Sequence, residues 1–420
     1  MFHTLILLGL AAFGAVTFST PSYAETPALT LDAAIGAALQ NAPSLQAANA
    51  RSNAAAASRA QAAALPNPEI SIEAENLYGD YSGAGDAEIS YGISQLVELP
   101  GKRKSRRQIA NSESLRAAHE AESHKLDIIH AVTLAFAETI AAEAEVELLQ
   151  EEYARAENIS RSVSARVDAG KEPPIQKKKA DIERKTSEMA LARARQELAT
   201  KRKNLDLMTG EENKEQPLDP LSLPPVTAPR HLADYLGQLT ASPDLKAFDA
   251  GIGQADGQLS LEKTETLPDP TFSIGIKDAR EDNTRSFMAG VSFAIPVFNR
   301  NRGNIERAGH DANAARFDRR NAEQNIQSAL TEAHGNLGSA YNEAQTLQTV
   351  MIPGAEEAFD FAQQGYEAGK FGYLEVLDAQ RTLFETRRNH NAAVLDYRRQ
   401  RAHLERLAPP ALIPSSENAK

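Results

Sequence analysis

The stretch YEAGKFGYLEVLDAQ at 366–380 has a worn copy, VDAGKEPPIQKKKAD, at 167–181. Both lie between long runs whose apolar residues recur at threes and fours, so each reads as the tip of a helical hairpin. Glycine at the turn supplies the left-handed conformation that ends a helix. A duplication with a period of about 200 residues constrains the fold more than any local motif does, because it makes the chain two copies of one unit.

Within each unit the order is the same. Residues 31–64 form an Ala-rich helix that starts at Thr30 or Asp32, is interrupted near Pro43, and stops at Leu65-Pro66-Asn67-Pro68. Glu69, Ser71, Glu73 and Glu75 then alternate with Ile70, Ile72 and Ala74, a strand with one polar and one apolar face. A loop over 77–87 leads to a second strand over 88–96, with Ile89, Tyr91 and Ile93 on one face. The helix expected over 105–169 would be roughly 100 Å long at 1.5 Å per residue. Its seam is Ile128, Val132, Phe136 and Ile140, and a second helix returns over 175–209.

The second unit repeats this: a helix over 232–266 containing Pro243, Leu267-Pro268-Asp269-Pro270, a strand over 271–277, and a strand over 287–295 with Phe287, Val291, Phe293 and Ile295 on one face. A long helix over 305–368 should kink at Pro353, and a last helix covers 374–407. The domain division is therefore 1–24 signal peptide, 25–210 first repeat, 211–230 linker, 231–408 second repeat and 409–420 flexible tail.

The first segment earns its label from the apolar run after Met1 and the small residues Ser22 and Ala24, which suit cleavage after Ala24. The exported chain has no Cys, so packing and association hold it together. The net charge of −12 argues against nucleic acid as a partner. No later run reaches the ~18 apolar residues of a membrane helix, so a membrane span would have to be built from strands. Four strands cannot close a barrel in lipid, where the smallest single-chain barrels have about eight, so several copies would have to pool theirs. The alternation fits equally a soluble sheet packed under the helices.

The duplicated order resembles the TolC-like outer membrane factor family over essentially the whole mature chain. Its most specific carriers are Tyr366-x-x-Gly369 with Leu374-Glu375-Val376-Leu377-Asp378-Ala379-Gln380, and Ile295-Pro296-Val297-Phe298-Asn299-Arg300. Leu65-Pro66-Asn67-Pro68-Glu69 and Glu98-Leu99-Pro100-Gly101-Lys102-Arg103 resemble the CzcC-like and CusC-like branch associated with heavy-metal cation export. The resemblance implies a mainly α fold with a small β part. It implies a homotrimer with an α-helical periplasmic tunnel, topped by a barrel in outer-membrane lipid of a Gram-negative bacterium, four strands from each of three copies making twelve. Its partners would be a periplasmic adaptor (membrane fusion) protein and an inner-membrane RND pump.

The resemblance also assigns roles. Glu375 and Asp378, three apart and so on one helix face, match the acidic rings at the periplasmic end, although solvated helix acids would look the same. Tyr366 matches the gate tyrosine; Gln176 stands where its acidic partner is expected, and Phe371 where a gate arginine is expected. In the first hairpin Val167, Gln176 and Lys179 align with Tyr366, Glu375 and Asp378. Gly170, Lys171, Gly369 and Lys370 would form the adaptor-docking tips, with Lys177, Lys178 and Lys179 adding charge. Glu69, Ser71, Glu73, Glu75, Glu88, Ser90 and Ser94 would face the barrel lumen.

His119, His124 and His130 lie at spacings of five and six, which do not bring metal ligands together. Gly251-x-Gly253 follows no strand and is no dinucleotide loop. No enzymatic activity, cofactor or resident metal is expected. A duct for drugs or type I secretion, and a periplasmic coiled-coil adaptor or scaffold without a pore, are the other functions compatible with the sequence.

Overall fold

The fold is described from a computed structural model, in which residues 28–77, 85–210 and 216–409 are placed. The signal segment 1–24 and the tail from 410 lie outside the described residues, as do 78–84 and 211–215. The first half contains α1 (Leu31–Asn41), α2 (Pro43–Ala62), β1 (Glu69–Glu75), β2 (Glu88–Leu96), α3 (Lys102–Asp168) and α4 (Pro174–Thr209). The second contains α5 (Leu232–Leu236), α6 (Pro243–Thr264), β3 (Thr271–Ala279), β4 (Thr284–Ser292), α7 (Arg302–Thr346), α8 (Ile352–Glu367) and α9 (Tyr373–Leu407).

The caps and breaks follow from local chemistry. Thr30 Oγ1 accepts from the Ala33 amide at 3.2 Å and opens α1. The single helix expected over 232–266 is instead broken. Ser242, the residue before Pro243, is extended (φ −57°, ψ 129°), so α6 begins at the proline and a short 3-10 turn, Leu239–Ala241, precedes it. Before Pro353 the helix widens into a π turn over Leu347–Met351, because proline offers no amide hydrogen and its ring would strike the carbonyl four residues back.

The two strand hairpins join into one antiparallel sheet, β1-β2-β3-β4, with Tyr91 opposite Ile276 and Ile93 opposite Ile274 across the central pair. The last strand is 284–292 rather than 287–295. Thr271 is the first residue of β3, behind Pro270, and it pairs with Ser292, so Phe293 and Ile295 run past the end of their neighbour. Every large apolar residue of the alternation still shares one face, and that face is bare: Ile70 is 81% exposed, Ile274 61% and Phe287 87%. On the opposite face a Cβ at Gly275 would lie 2.7 Å from the Tyr91 carbonyl oxygen. The β2 backbone therefore approaches β3 too closely there for any side chain, and glycine at 275 permits it.

The helices bury seams instead of one thick core. Val132, Phe136 and Ile140 of α3 pack with Leu31 and Leu205, and Leu245, Leu330, Leu337, Tyr397 and Leu404 form a second seam. The Tyr397 hydroxyl donates to the Thr227 carbonyl (2.9 Å) and accepts from its amide (3.1 Å), tying the interrepeat segment to α9. Charge fastens the two halves as well. Arginines descending α9 meet acids of the first half in antiparallel order: Arg381 with Glu183, Arg387 with Glu151 (2.9 Å), Arg399 with Glu138 (2.8 Å) and Arg406 with Asp127.

Burial alone would raise the Glu138 carboxyl, but hydrogen bonds from Lys201 and Arg399 overcome it and hold the group below the usual glutamate range. Glu151 is lowered in the same way, by Arg155 and Arg387 against burial. A carboxyl lowered by folding contributes stability above its unfolded pKa, and that contribution disappears as pH falls through the folded value. Thermal melts should therefore weaken below about pH 4, the ordinary glutamate value. At neutral pH Glu138→Gln should cost about 0.2–1 kcal/mol and flatten the acid limb. An acid limb as steep in Glu138→Gln as in the parent would contradict the assignment.

Candidate functional site

Both hairpin tips are built alike. After α3, Gly170 takes φ 70°; its amide donates to the Val167 carbonyl (2.9 Å), and the Lys171 amide donates to the Arg166 carbonyl (2.8 Å). After α8, Gly369 takes φ 71°, with the matching bonds to Tyr366 (3.0 Å) and from Lys370 to Gly365 (2.8 Å). These are Schellman turns, which close a helix by satisfying its last carbonyls and need glycine at the left-handed position. Lys171 and Lys370 stand exposed at the two ends, Lys178 and Lys179 are exposed beside the first, and Lys177 pairs with Asp168 at 3.3 Å.

Tyr366 points inward, 5% exposed, into a cluster with Val163, Ala180, Phe359, Tyr373 and Val376. This cluster is where the second hairpin is glued to the first. No hydrogen bond joins Tyr366 to Gln176: the Tyr366 hydroxyl and Gln176 Oε1 are both buried without a hydrogen-bond partner. Arg166 of α3 provides the polar contact instead. Its guanidinium lies 4.6 Å from the centre of the Tyr366 ring, its Nη1 donates to the Tyr366 carbonyl at 3.2 Å, and Glu172 lies 3.8 Å from its Nε. Burial, then the Glu172 charge, push the Tyr366 hydroxyl pKa up, with Arg166 opposing them. Deeper in the same cluster burial pushes the Tyr373 hydroxyl up to about 12.

Phe371, at the position where a gate arginine is expected, packs its ring onto Gly365, so closely that any side chain at 365 would collide with it. Gly365 is thus needed for packing. Its aligned residue in the first hairpin is Arg166, an Arg-for-Gly mismatch beside the Val167–Tyr366 mismatch and the one sequence signal that could have exposed Arg166.

Glu375 and Asp378 are exposed on the face of α9 turned away from buried Val376, Leu377 and Gln380. Glu375 sits in the first turn, where the helix dipole favours a negative charge. Arg381, one turn after Asp378, is drawn to Glu183 of the first hairpin. The two carboxylates therefore leave the protein on one exposed face near the tip.

On the sheet, Glu69, Ser71, Glu73 and Glu75 lie opposite Ser94, Gly92, Ser90 and Glu88, all on the polar face. Lys277, opposite Ser90, makes ion pairs with Glu88 and with Glu75 (3.3 Å). The sequence reading left this cation out; it neutralises the loop end of the acidic wall, while Glu69 and Glu73 have no ion-pair partner among the described residues. No cluster of three or more ligating side chains is placed to hold a metal ion among the described residues. The rings of His130 and His403 lie 5.9 Å apart between α3 and α9.

Comparison with known proteins adds three findings. A family model described as outer membrane efflux protein matches residues 34–211 and 238–408, one segment in each half. The chain is 32% identical to the cobalt-zinc-cadmium resistance protein CzcC of Cupriavidus metallidurans, over 86% of this chain and 85% of the relative. It is 30% identical to the nickel and cobalt resistance protein CnrC of the same species, over 68% and 69%. Among solved structures, CusC superposes with a TM-score of 0.78 at 20% identity, covering 90% of this chain and 92% of CusC. VceC of Vibrio cholerae gives 0.76 at 19%, covering 90% and 95%. These two likenesses show the fold: long helical hairpins with a small sheet at one end.

Proposed function

The chain belongs to the outer membrane efflux protein family and is an outer-membrane efflux channel with a large periplasmic part; on that premise we propose that three copies pool their sheets into a twelve-stranded barrel. The observation that carries this is the bare apolar face of a sheet whose outer strands, β1 and β4, have no further partner among the described residues. Removing six of its side chains (Ile70, Ile72, Tyr91, Ile274, Ile276 and Phe287) from water is worth roughly 1.5–3 kcal/mol each. Since they are 42% to 87% exposed, the sum comes to roughly 6–12 kcal/mol, which still rivals the ~5–15 kcal/mol that stabilises a whole domain. Lipid covers such a face, and neighbouring copies supply the missing strand partners. β2, β3 and β4 have nine residues each, which meets the ~9–11 expected of a spanning strand.

In this arrangement the polar face, with Glu69, Glu73, Glu75, Glu88 and Lys277, lines the lumen. The helices continue it as a periplasmic tunnel that ends at the tips. Glu375 and Asp378 form rings of three carboxylates there, which favour cations and repel anions. Tyr366 and its cluster hold the second hairpin inward, and Gly170, Lys171, Gly369 and Lys370 present the surface for a periplasmic adaptor. An inner-membrane RND pump supplies the energy. The cargo we propose is heavy-metal cations, on the strength of the two metal-resistance relatives and the acidic path. Such a cation is substrate and passes through without a resident site.

Two measurements test this reading. In the reconstituted channel Glu375→Ala with Asp378→Ala should weaken block by divalent cations severalfold; unchanged block and conductance would remove the acidic rings. In the native host, deletion of the gene should sensitise cells to Co, Zn, Cd or Ni and leave a drug panel unaffected. Sensitivity to drugs alone would replace the cargo.

A further inference from the structure

We propose that Arg166 is the latch of the tip gate, holding the second hairpin to the first through the face of the Tyr366 ring and the Tyr366 carbonyl, with the tyrosine hydroxyl taking no part. The inference rests on the tips being the gate, as proposed above, and names the residue that keeps it shut.

The geometry is specific. The guanidinium centre lies 4.6 Å from the ring centre, inside the ~6 Å reach of a cation–π contact, and Nη1 reaches the Tyr366 carbonyl at 3.2 Å. A guanidinium can do both at once because it is flat and carries several donors, which an ammonium cannot match. The hydroxyl, by contrast, is buried and bonded to nothing, as is Gln176 Oε1 on α4. If the phenol hydrogen bond were the tie between hairpins, one of these atoms would be satisfied.

The latch also has a resting place when it lets go. Glu172, in the turn of Arg166's own hairpin, sits 3.8 Å from Arg166 Nε, and that Nε has no hydrogen-bond partner in the closed arrangement. When the second hairpin moves away, Arg166 loses the ring and the carbonyl but keeps a carboxylate beside it. Arg166 is already partly exposed, so opening wets its charge instead of stranding it, and Glu172 stays beside it as a counter-charge. The latch further reports on the turn it holds. The Tyr366 carbonyl that accepts from Arg166 also accepts the Gly369 amide, and the Arg166 carbonyl accepts the Lys171 amide. Distortion of either Schellman turn, such as contact at Lys171 or Lys370 would impose, therefore acts directly on the two residues of the latch. Arg166 is a positioning residue here: it acts through Tyr366 and has no assigned contact with cargo.

The test is single-channel conductance of the full-length protein in planar lipid bilayers, with melting temperature and oligomer mobility recorded for each variant. Tyr366→Phe, which keeps the ring and the carbonyl, should conduct as the parent does. Tyr366→Ala and Arg166→Gln should each raise conductance severalfold at an unchanged oligomeric state, and combining them should add little. Arg166→Lys should resemble Arg166→Gln, since the charge survives without the planar fork. Opening by Tyr366→Phe as large as by Tyr366→Ala would overturn the latch, because the hydroxyl would then be the tie. Parent-like conductance of Arg166→Gln beside an open Tyr366→Ala would overturn it too while leaving the gate in place. If Tyr366→Ala is also parent-like, the tips are not the gate and both readings fall. Should Arg166→Gln fail to assemble, the contrast between Tyr366→Phe and Tyr366→Ala decides the question alone.

Discussion

A four-stranded sheet with one apolar face and two free edges is an unfinished object, and the rest of this protein is arranged around finishing it. Water cannot cover the whole apolar face, Ile70, Ile72, Tyr91, Ile274, Ile276 and Phe287, without a cost comparable to the stability of a domain. The helices do not cover them either, since they depart from one end of the sheet. In the proposed barrel, lipid on one face, other copies at both edges and a wet channel on the polar face would satisfy all three demands together. In the proposed barrel the long helices would continue that circular arrangement; α3 itself runs 67 residues and buries only a narrow seam.

Much of this was legible from residue pattern. Period-two alternation placed β1 and β2 to the residue, and Pro66, Pro68, Pro268 and Pro270 fixed where each sheet hairpin begins. Glycine chemistry located both tips, and Pro353 located the distortion of the seventh and eighth helices. The failures differ in cause. The end of β4 is set by where β3 starts, whereas the break before α6 is the local effect of Pro243 on Ser242. Alternation along one strand carries no information about the length of its neighbour.

The tip shows the same limit at the level of chemistry. The sequence nominated Tyr366, Glu375 and Asp378, and the structure keeps the carboxylates exposed together while burying the tyrosine. What sequence could not supply was the partner, because Arg166 and Tyr366 are 200 residues apart and meet only through packing of α3 against the second hairpin. Lys277 was missed for a related reason: it belongs to β3, while the acids it neutralises lie on β1 and β2. Like the arginine and acid pairs along α9, these contacts join the two repeats. The duplication is thus complete in backbone and divided in chemistry: Arg166 lies in the first half, and Tyr366, the exposed acids Glu375 and Asp378 and the arginines of α9 lie in the second.

The account stands or falls on how many copies finish the sheet. Native mass spectrometry of the complex extracted from outer membranes in mild detergent reads that number directly. A single species of three mature chains is predicted. A monomer recovered from the soluble fraction, or a closed complex of any other copy number, would contradict it.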